Sequence, residues 1–220
     1  MKIIMADCLR RFLNKNDRMT YEHSLRLAHM ARIMTEYFPD IQEADKEAFV
    51  AGCCIHDIGK GLIPNDILHK PSILTAEEWR MMRRHPELGL RMLKIQDYVH
   101  KPIVDIVQFH HERWDGLGYP YQLRGDDIPI WARLCSILDA YDSMVTHRPY
   151  RRGMSAEKAR EELRRQRGAQ FDPDCVDLFH EVPSEAFETA TEFCETYPMP
   201  GSSVWKRCIE LDPTTTKKQG

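Results

Sequence analysis

The sequence predicts an all-α protein, a single helical bundle whose functional residues lie in the core. Apolar residues recur at helical spacing in nearly every segment, and no convincing run alternates apolar and polar residues as a half-buried strand does. Helix start and stop signals separate the segments. The 220 residues are enough for one sizeable core, so we expect one bundle of about seven to nine helices, with two small domains as the less favoured alternative.

Six helices are predicted in the first half of the chain from periodicity and end signals. They cover residues 3–14, 21–38, 43–55, 64–69, 76–85 and 87–95. Pro39 ends the second helix, and the third turns from charged to apolar as it enters the core. Thr75 and Glu78 form a capping box that starts a helix at Ala76. Pro86 is expected to interrupt that helix directly after His85.

The second half predicts five helices around one long loop. They cover residues 102–111, a segment that starts at Pro129, residues 156–167, residues 173–181 and a segment that starts at Ser184. The loop at 112–130 has several glycines and prolines, and its length indicates a functional role. We expect one domain over residues 1–182, with its motifs between about 21 and 179, followed by a helix and an irregular tail over 183–220.

Composition excludes several classes of function. The formal net charge is −3, so no global field attracts DNA, RNA or an anionic membrane. No apolar run approaches the roughly 20 residues that span a bilayer, and the N-terminus becomes charged before a signal-peptide core forms. We therefore expect a cytoplasmic protein. Its seven cysteines form no C-x-x-C pair and are expected to be free thiols.

The stretch FHHERWDGLGYP at 109–120 is the strongest functional signal. Neighbouring residues on a helix point about 100° apart, so His110 and His111 converge only where their helix ends, and the glycine-rich loop supplies that end. Two surface histidines are the alternative interpretation. His56-Asp57 and His85 favour a shared site because they too lie at predicted helix ends.

A carboxylate on an apolar helix face supports the same site. Asp139 interrupts the buried face of the helix that starts at Pro129, and a buried carboxylate is costly unless it is paired or binds a metal. Imidazole and carboxylate groups from several helices are the ligands of a divalent transition metal rather than of calcium. Cys53 and Cys54 precede His56, but we interpret them as small buried side chains.

Four runs together resemble the HD-GYP family of metal-dependent phosphodiesterases. They are HDIGKGLIPNDILHKP at 56–71, HPELG at 85–89, HHERWDGLGYP at 110–120 and LDAYDSMVTHRPYR at 138–151. The resemblance implies a helical HD-type fold and adds His23 to the ligands. The full expected set is His23, His56, Asp57, His85, His110, His111 and Asp139. Seven ligands suit two ions, with Asp57 as the bridge.

The resemblance also implies a reaction. A metal-bridging hydroxide would open the bacterial messenger cyclic di-GMP without a side-chain base, with either pGpG or GMP as the final product. Lys60, Arg148 and Arg151 would neutralise phosphate charge, and Tyr119 would position the substrate. Asp142 is expected beside the ligands as a partner for Lys60. Iron or manganese are the favoured metals, with nickel or zinc as alternatives.

Two other functions stay open at this point. One is a general HD-type nucleotide phosphohydrolase, which the GYP loop and the arginines near 148 disfavour. The other is a non-catalytic receptor for cyclic dinucleotides that docks to a diguanylate cyclase or another signalling protein. Some HD-GYP proteins bind a third ion through a glutamate four residues before the first histidine. Met19 occupies that position here, so we expect two ions.

Overall fold

The computed structural model of the chain describes residues 18–38, 40–93, 99–147 and 152–187. In these ranges all regular structure is helical, apart from one isolated bridge between Arg167 and Phe171. The predicted all-α fold is confirmed. The leading helix predicted at 3–14, the tail beyond 187, and Arg148 and Arg151 lie outside the described residues.

The α-helices are labelled α1 to α9 in chain order. They are Arg18–Thr35 (α1), Glu43–Ile55 (α2), Asn65–Leu68 (α3), Ala76–Met82 (α4), His85–Leu93 (α5), Lys101–Phe109 (α6), Ile130–Val145 (α7), Ala156–Arg165 (α8) and Pro173–Glu181 (α9). Two short 3₁₀ helices, Ile58–Leu62 and Gly125–Asp127, lie in the connections. A further helical turn covers residues 184–187.

Four helices form the centre of the bundle. Helix α1 packs on α2 and α7, and α6 completes the group by packing on both α2 and α7. Helices α8 and α9 pack on α7, and α5 packs on α6 and on the first 3₁₀ helix. Fully buried side chains fill the interior, among them Leu27, Met34, Phe49, Ile106, Ile137 and Phe179.

A glycine lets the first 3₁₀ helix approach α5 closely. A Cβ atom on Gly59 would overlap the carbonyl oxygen of His85 and lie 2.5 Å from the backbone nitrogen of Gly89. The position excludes a side chain, because two backbones meet there.

Most predicted boundaries agree with the structure to within two residues, but α1 lies at Arg18–Thr35 rather than at 21–38, and one helix break is misplaced. Helices α2 and α9 have the predicted bounds, and Thr75 and Glu78 form the expected capping box. The break near His85 was placed after that residue. Helix α4 in fact ends at Met82, and His85 begins α5 with Pro86 in its first turn. Proline suits that position because a first-turn N–H has no partner within the helix.

The bundle extends slightly past the predicted domain boundary. Phe187 is buried, and its ring stacks on Phe179 at a centroid distance of 5.2 Å. The division at residue 182 stays a prediction, because the structure describes only a few residues beyond it. No helix within the described ranges is long and apolar enough to cross a membrane.

Candidate metal centre

The seven histidines and aspartates singled out in the sequence lie together in two adjoining groups. One group is His23, His56 and Asp139, and the other is Asp57, His85, His110 and His111. Within each group the potential ligand atoms lie within 4.8 Å of one another. Neither group contains a cysteine, and Cys53 and Cys54 are buried free thiols as expected.

Most of these side chains lie at or next to helix ends. His56 and Asp57 follow the last residue of α2, His85 begins α5, and His110 and His111 follow the last residue of α6. Because α6 ends at Phe109, the two adjacent imidazoles can converge, as predicted. His23 and Asp139 come from within helices, α1 and α7 respectively.

Hydrogen bonds from Nδ1 fix the orientation of four histidines. The Nδ1 atoms of His56, His85 and His110 lie 2.8, 2.9 and 2.9 Å from backbone carbonyl oxygens. Nδ1 of His23 lies 2.7 Å from Oδ2 of Asp142. A neutral imidazole that donates from Nδ1 has its lone pair on Nε2. Such outer hydrogen bonds orient metal-ligating histidines in general.

Facing lone pairs are the strongest sign that a cation belongs here. Nε2 of His85 lies 3.2 Å from Nε2 of His110. Both Nδ1 atoms face carbonyl oxygens, so both Nε2 atoms are acceptors with no proton to share between them. Two acceptors at this distance repel each other unless a positive charge lies between them.

Asp57 faces both groups with different oxygens. Oδ1 lies 3.2 Å from Nε2 of His85 and 3.7 Å from Nε2 of His110. Oδ2 lies 3.3 Å from Nε2 of His56 in the other group and 2.5 Å from Nζ of Lys60. Oδ1 is buried and accepts no hydrogen bond in the described part of the chain. A carboxylate placed in this way can serve a cation on each side.

Burial keeps the three histidines of the second group neutral, and nearby charges keep Asp57 anionic, as a metal requires. Burial lowers the pKa of His85 to about 3 and that of His111 well below its usual value, and it also lowers the pKa of His110. Burial alone would raise the pKa of Asp57, but the charges of Lys60 and His56 outweigh it and hold that pKa well below its usual range. The donor set therefore fits divalent metal ions.

His23 behaves differently from the other histidines. Burial lowers its pKa, but hydrogen bonds and charges from Asp139 and Asp142 outweigh burial and raise the pKa to about 9. Its Nε2 lies 3.2 Å from Oδ1 of Asp139. In the absence of a metal, a proton therefore bridges His23 and Asp139, and a metal must displace it.

Asp142 contacts residues other than the one predicted. Its Oδ1 accepts from Nε of the buried Arg26 at 2.5 Å, and its Oδ2 accepts from Nη2 of Arg26 at 2.8 Å and faces His23. Lys60 contacts Asp57 instead. The predicted pairing of Asp142 with Lys60 is wrong because α1, which carries His23 and Arg26, packs directly on α7.

The loop after α6 places Tyr119 against the ligands. The Tyr119 ring stacks on His111 with centroids 4.7 Å apart and an interplanar angle of 25°. Its backbone N–H donates to the carbonyl of His111 at 3.1 Å. Burial, reinforced by the charges of Asp57 and Asp139, raises the pKa of Tyr119, so its hydroxyl keeps its proton at neutral pH.

Glu112 is an organising residue that the sequence interpretation missed. This buried carboxylate accepts backbone hydrogen bonds from Tyr121 at 2.7 Å and Leu123 at 3.0 Å. It therefore holds the far side of the loop that carries Tyr119. The one feature of the sequence that could have indicated this role is the position of Glu112 between the histidine pair and the glycines. In the same loop, the ring centroid of Trp114 lies 5.5 Å from the guanidinium carbon of Arg133.

Comparison with known proteins identifies the family. A family model described as HD domain matches residues 7–175. The chain belongs to the HD domain family. Its GYP tripeptide at 118–120 and its curated relatives place it in the HD-GYP branch of that family. The predicted resemblance is confirmed.

Curated relatives match most of the chain's length. The chain is 34% identical over 193 residues to a protein named probable cyclic di-GMP phosphodiesterase from Vibrio cholerae, covering 81% of the chain and 44% of that protein. It is 39% identical over 142 residues to 3'3'-cGAMP-specific phosphodiesterase 2 of the same organism, covering 64% of the chain and 27% of that protein. The chain thus spans less than half the length of these two relatives.

A solved structure supports the fold independently. The HD domain of the L. monocytogenes phosphodiesterase PgpH, solved in complex with cyclic di-AMP, matches with a TM-score of 0.59 at 17% identity. The match covers 88% of this chain and 99% of that one. At this identity the likeness concerns the helical fold.

Proposed function

We propose that the protein is a metal-dependent phosphodiesterase that hydrolyses cyclic di-GMP to pGpG and further to GMP. The observation that carries the proposal is Asp57, whose two oxygens face two separate groups of ligating side chains. Relatives at 34 to 36% identity that are named as cyclic di-GMP phosphodiesterases support the choice of substrate.

Two divalent ions are proposed, with iron or manganese favoured. His23, His56 and Asp139 would hold one ion, the three histidines at 85, 110 and 111 would hold the other, and Asp57 would contribute to both. When bound, such a pair lowers the pKa of water and polarises a phosphate oxygen. Met19, four residues before His23 on α1, is a thioether and a poor ligand for a hard ion.

Side chains around the ligands have separate proposed roles. Lys60 is 25% exposed and carries its charge at the edge of the site, where it can neutralise a phosphate oxygen. Tyr119 keeps its hydroxyl proton and can donate it in a hydrogen bond to the substrate. Arg148 and Arg151 lie outside the described residues and are proposed as further phosphate ligands, since arginine suits bidentate contact with phosphate.

The test is turnover measured together with metal content on one sample. Protein loaded with iron or manganese should convert cyclic di-GMP to pGpG and GMP, lose that activity on chelation, and regain it on reloading. A protein that carries its metals and binds the nucleotide without turnover belongs to the receptor class. One that hydrolyses ordinary nucleotides in preference is a general phosphohydrolase instead.

A further inference from the structure

Helix α4 has a composition that the fold does not explain. None of its residues, Ala76–Met82, is buried. It nevertheless carries Trp79, which is 48% exposed. The helix is held in place through Glu78, which closes the capping box and accepts from Lys70 at 2.6 and 2.8 Å. Tryptophan is enriched at interfaces, where its apolar ring faces a partner and its N–H stays polar.

Trp79 is the outer end of a row that starts at the metal centre. The His111 ring stacks on Tyr119, and the guanidinium carbon of Arg83 lies 5.3 Å from the centroid of the Tyr119 ring. The same carbon lies 6.0 Å from the centroid of the Trp79 ring. Arg83 directly follows α4 and precedes the metal-ligating His85 by two residues. The row is therefore fixed relative to the metal centre.

The charge of Arg83 forms no ion pair with any other described residue. In the ranges that the structure describes, no acidic side chain pairs with Arg83, whereas the nearby Arg80 pairs with Glu77. Arg83 is exposed and contacts two aromatic rings, which hold a cation without occupying its hydrogen-bond donors. Its N–H groups are available to a ligand.

We propose that Trp79 and Arg83 form a binding site for a guanine base of the nucleotide whose phosphate lies at the metal centre. The inference rests on the proposed function and adds the residues that select the base. The Tyr119 ring separates Arg83 from His111, so Arg83 lies one ring beyond the ligand atoms, where the base of a bound nucleotide lies rather than the reacting phosphate.

The donors of Arg83 match guanine and not adenine. Guanine presents two acceptors, O6 and N7, to the fork of an arginine, whereas adenine presents the acceptor N7 beside the N6 amino donor. Trp79 adds a ring on which either base can stack. Arg83 therefore supplies the preference for guanine, and Trp79 supplies affinity for both bases.

The test is calorimetric binding of mononucleotides to the metal-loaded full chain, with no turnover required. GMP, AMP and ribose 5-phosphate are titrated into the wild type and into Arg83→Met, Arg83→Lys and Trp79→Leu. Arg84→Met is the matched control, because Arg84 is the exposed neighbour of Arg83 and contacts neither ring in the described part of the chain.

The wild type should prefer GMP to AMP. Arg83→Met should reduce that preference by about 10- to 100-fold, and Arg83→Lys should reduce it as well because an ammonium lacks the bidentate fork. Trp79→Leu should weaken GMP and AMP alike but leave ribose 5-phosphate unchanged. Arg84→Met should resemble the wild type. An unchanged ratio of GMP to AMP affinity in both Arg83 variants overturns the inference, as does an equal loss for ribose 5-phosphate.

Hydrolysis of bis(4-nitrophenyl) phosphate, a diester without a base, separates this inference from the proposed function. The wild type and the control Arg84→Met should hydrolyse it at the same rate, because the diester has no base to select and Arg84 contacts neither ring in the described part of the chain. If the wild type binds GMP through Arg83 but hydrolyses no cyclic dinucleotide, the proposed function fails and the base site stands. If it hydrolyses cyclic di-GMP and Arg83→Met keeps the full preference for guanine, the base site fails and the proposed function stands.

Discussion

Buried contacts next to the candidate metal ligands contribute to the stability of the site. Asp142 is 2% exposed and joins Arg26 and His23. We expect Asp142→Ala to lower the free energy of unfolding by about 3 to 5 kcal/mol, as removal of one partner from a buried charge pair does. Chemical denaturation in the presence of a chelator measures this.

The matched control for Asp142→Ala is Asp177→Ala. Asp177 pairs with Arg167 on the surface, where both side chains are well exposed, so its loss should leave the unfolding midpoint nearly unchanged. Equal effects of the two substitutions would show that Asp142 has no special role behind His23.

His23 gives the metal-free protein a characteristic pH dependence. Its pKa is raised from 6.5 to about 9 in the folded state, so the folded protein binds this proton more tightly than the unfolded chain does. The resulting stability is fully present below pH 6.5 and is lost as the pH rises through 9. The pKa values of Asp139 and Asp142 are lowered, so these groups do not titrate in that window.

We therefore expect the melting temperature of the chelator-treated protein to fall between pH 6.5 and 9. The loss in stability should be on the order of 3 kcal/mol. Calorimetry at several pH values measures it, and His23→Asn should remove the dependence. A wild-type melting temperature that is constant over this window contradicts the assigned hydrogen bonds.

The sequence predicted which histidines and aspartates lie together better than it predicted the residues that support them. The histidines and aspartates are visible in the sequence because they end or interrupt apolar helical segments. The partner of Asp142 was not visible, since it depends on which face of α1 meets α7. Glu112 and Arg83 were missed for a related reason. Their roles depend on contacts with a loop, and helical periodicity does not predict how a loop folds back.

At the scale of elements, the approach of the first 3₁₀ helix to α5 sets the distance from Asp57 to His85. We expect Gly59→Ala to force these segments apart, because its Cβ would overlap backbone atoms at both His85 and Gly89. Metal affinity should fall by about 10- to 100-fold, the range found for changes just outside a metal's ligands. Titration with manganese measures the affinity, and circular dichroism checks the helix content.

Gly168→Ala is the control for this substitution. A Cβ there meets no atom within 4 Å, but the φ of +76° disfavours a side chain. The control should lose stability and keep its metal affinity. A Gly59→Ala protein with unchanged affinity would show that the close approach is not needed for the site.

Helix positions could be predicted where end signals are strong, as at the Thr75 capping box and at Pro173. The break at 83–84 was misplaced by two residues because proline at 86 was interpreted as a stop. In the structure that proline belongs to the first turn of α5. Arg83 is thus the first residue after α4, and its guanidinium carbon lies 5.3 Å from the centroid of the Tyr119 ring.

At the scale of the whole molecule, the bundle brings together side chains from five α-helices or their ends. The four central helices and α5 supply the two adjoining ligand groups. Helical periodicity predicts the bundle and its core faces. Periodicity does not show which helices pack against each other. The division into two ligand groups around Asp57 depends on that packing.

Anomalous scattering from crystals of the manganese- or iron-loaded protein tests the central claim most directly. Two fully occupied ions should appear, one on each side of Asp57, with His23, His56 and Asp139 around the first and His85, His110 and His111 around the second. Met19→Glu should be the change that adds a third ion beside His23. A single ion, or a third fully occupied ion in the wild-type protein, would contradict the proposed two-metal phosphodiesterase centre.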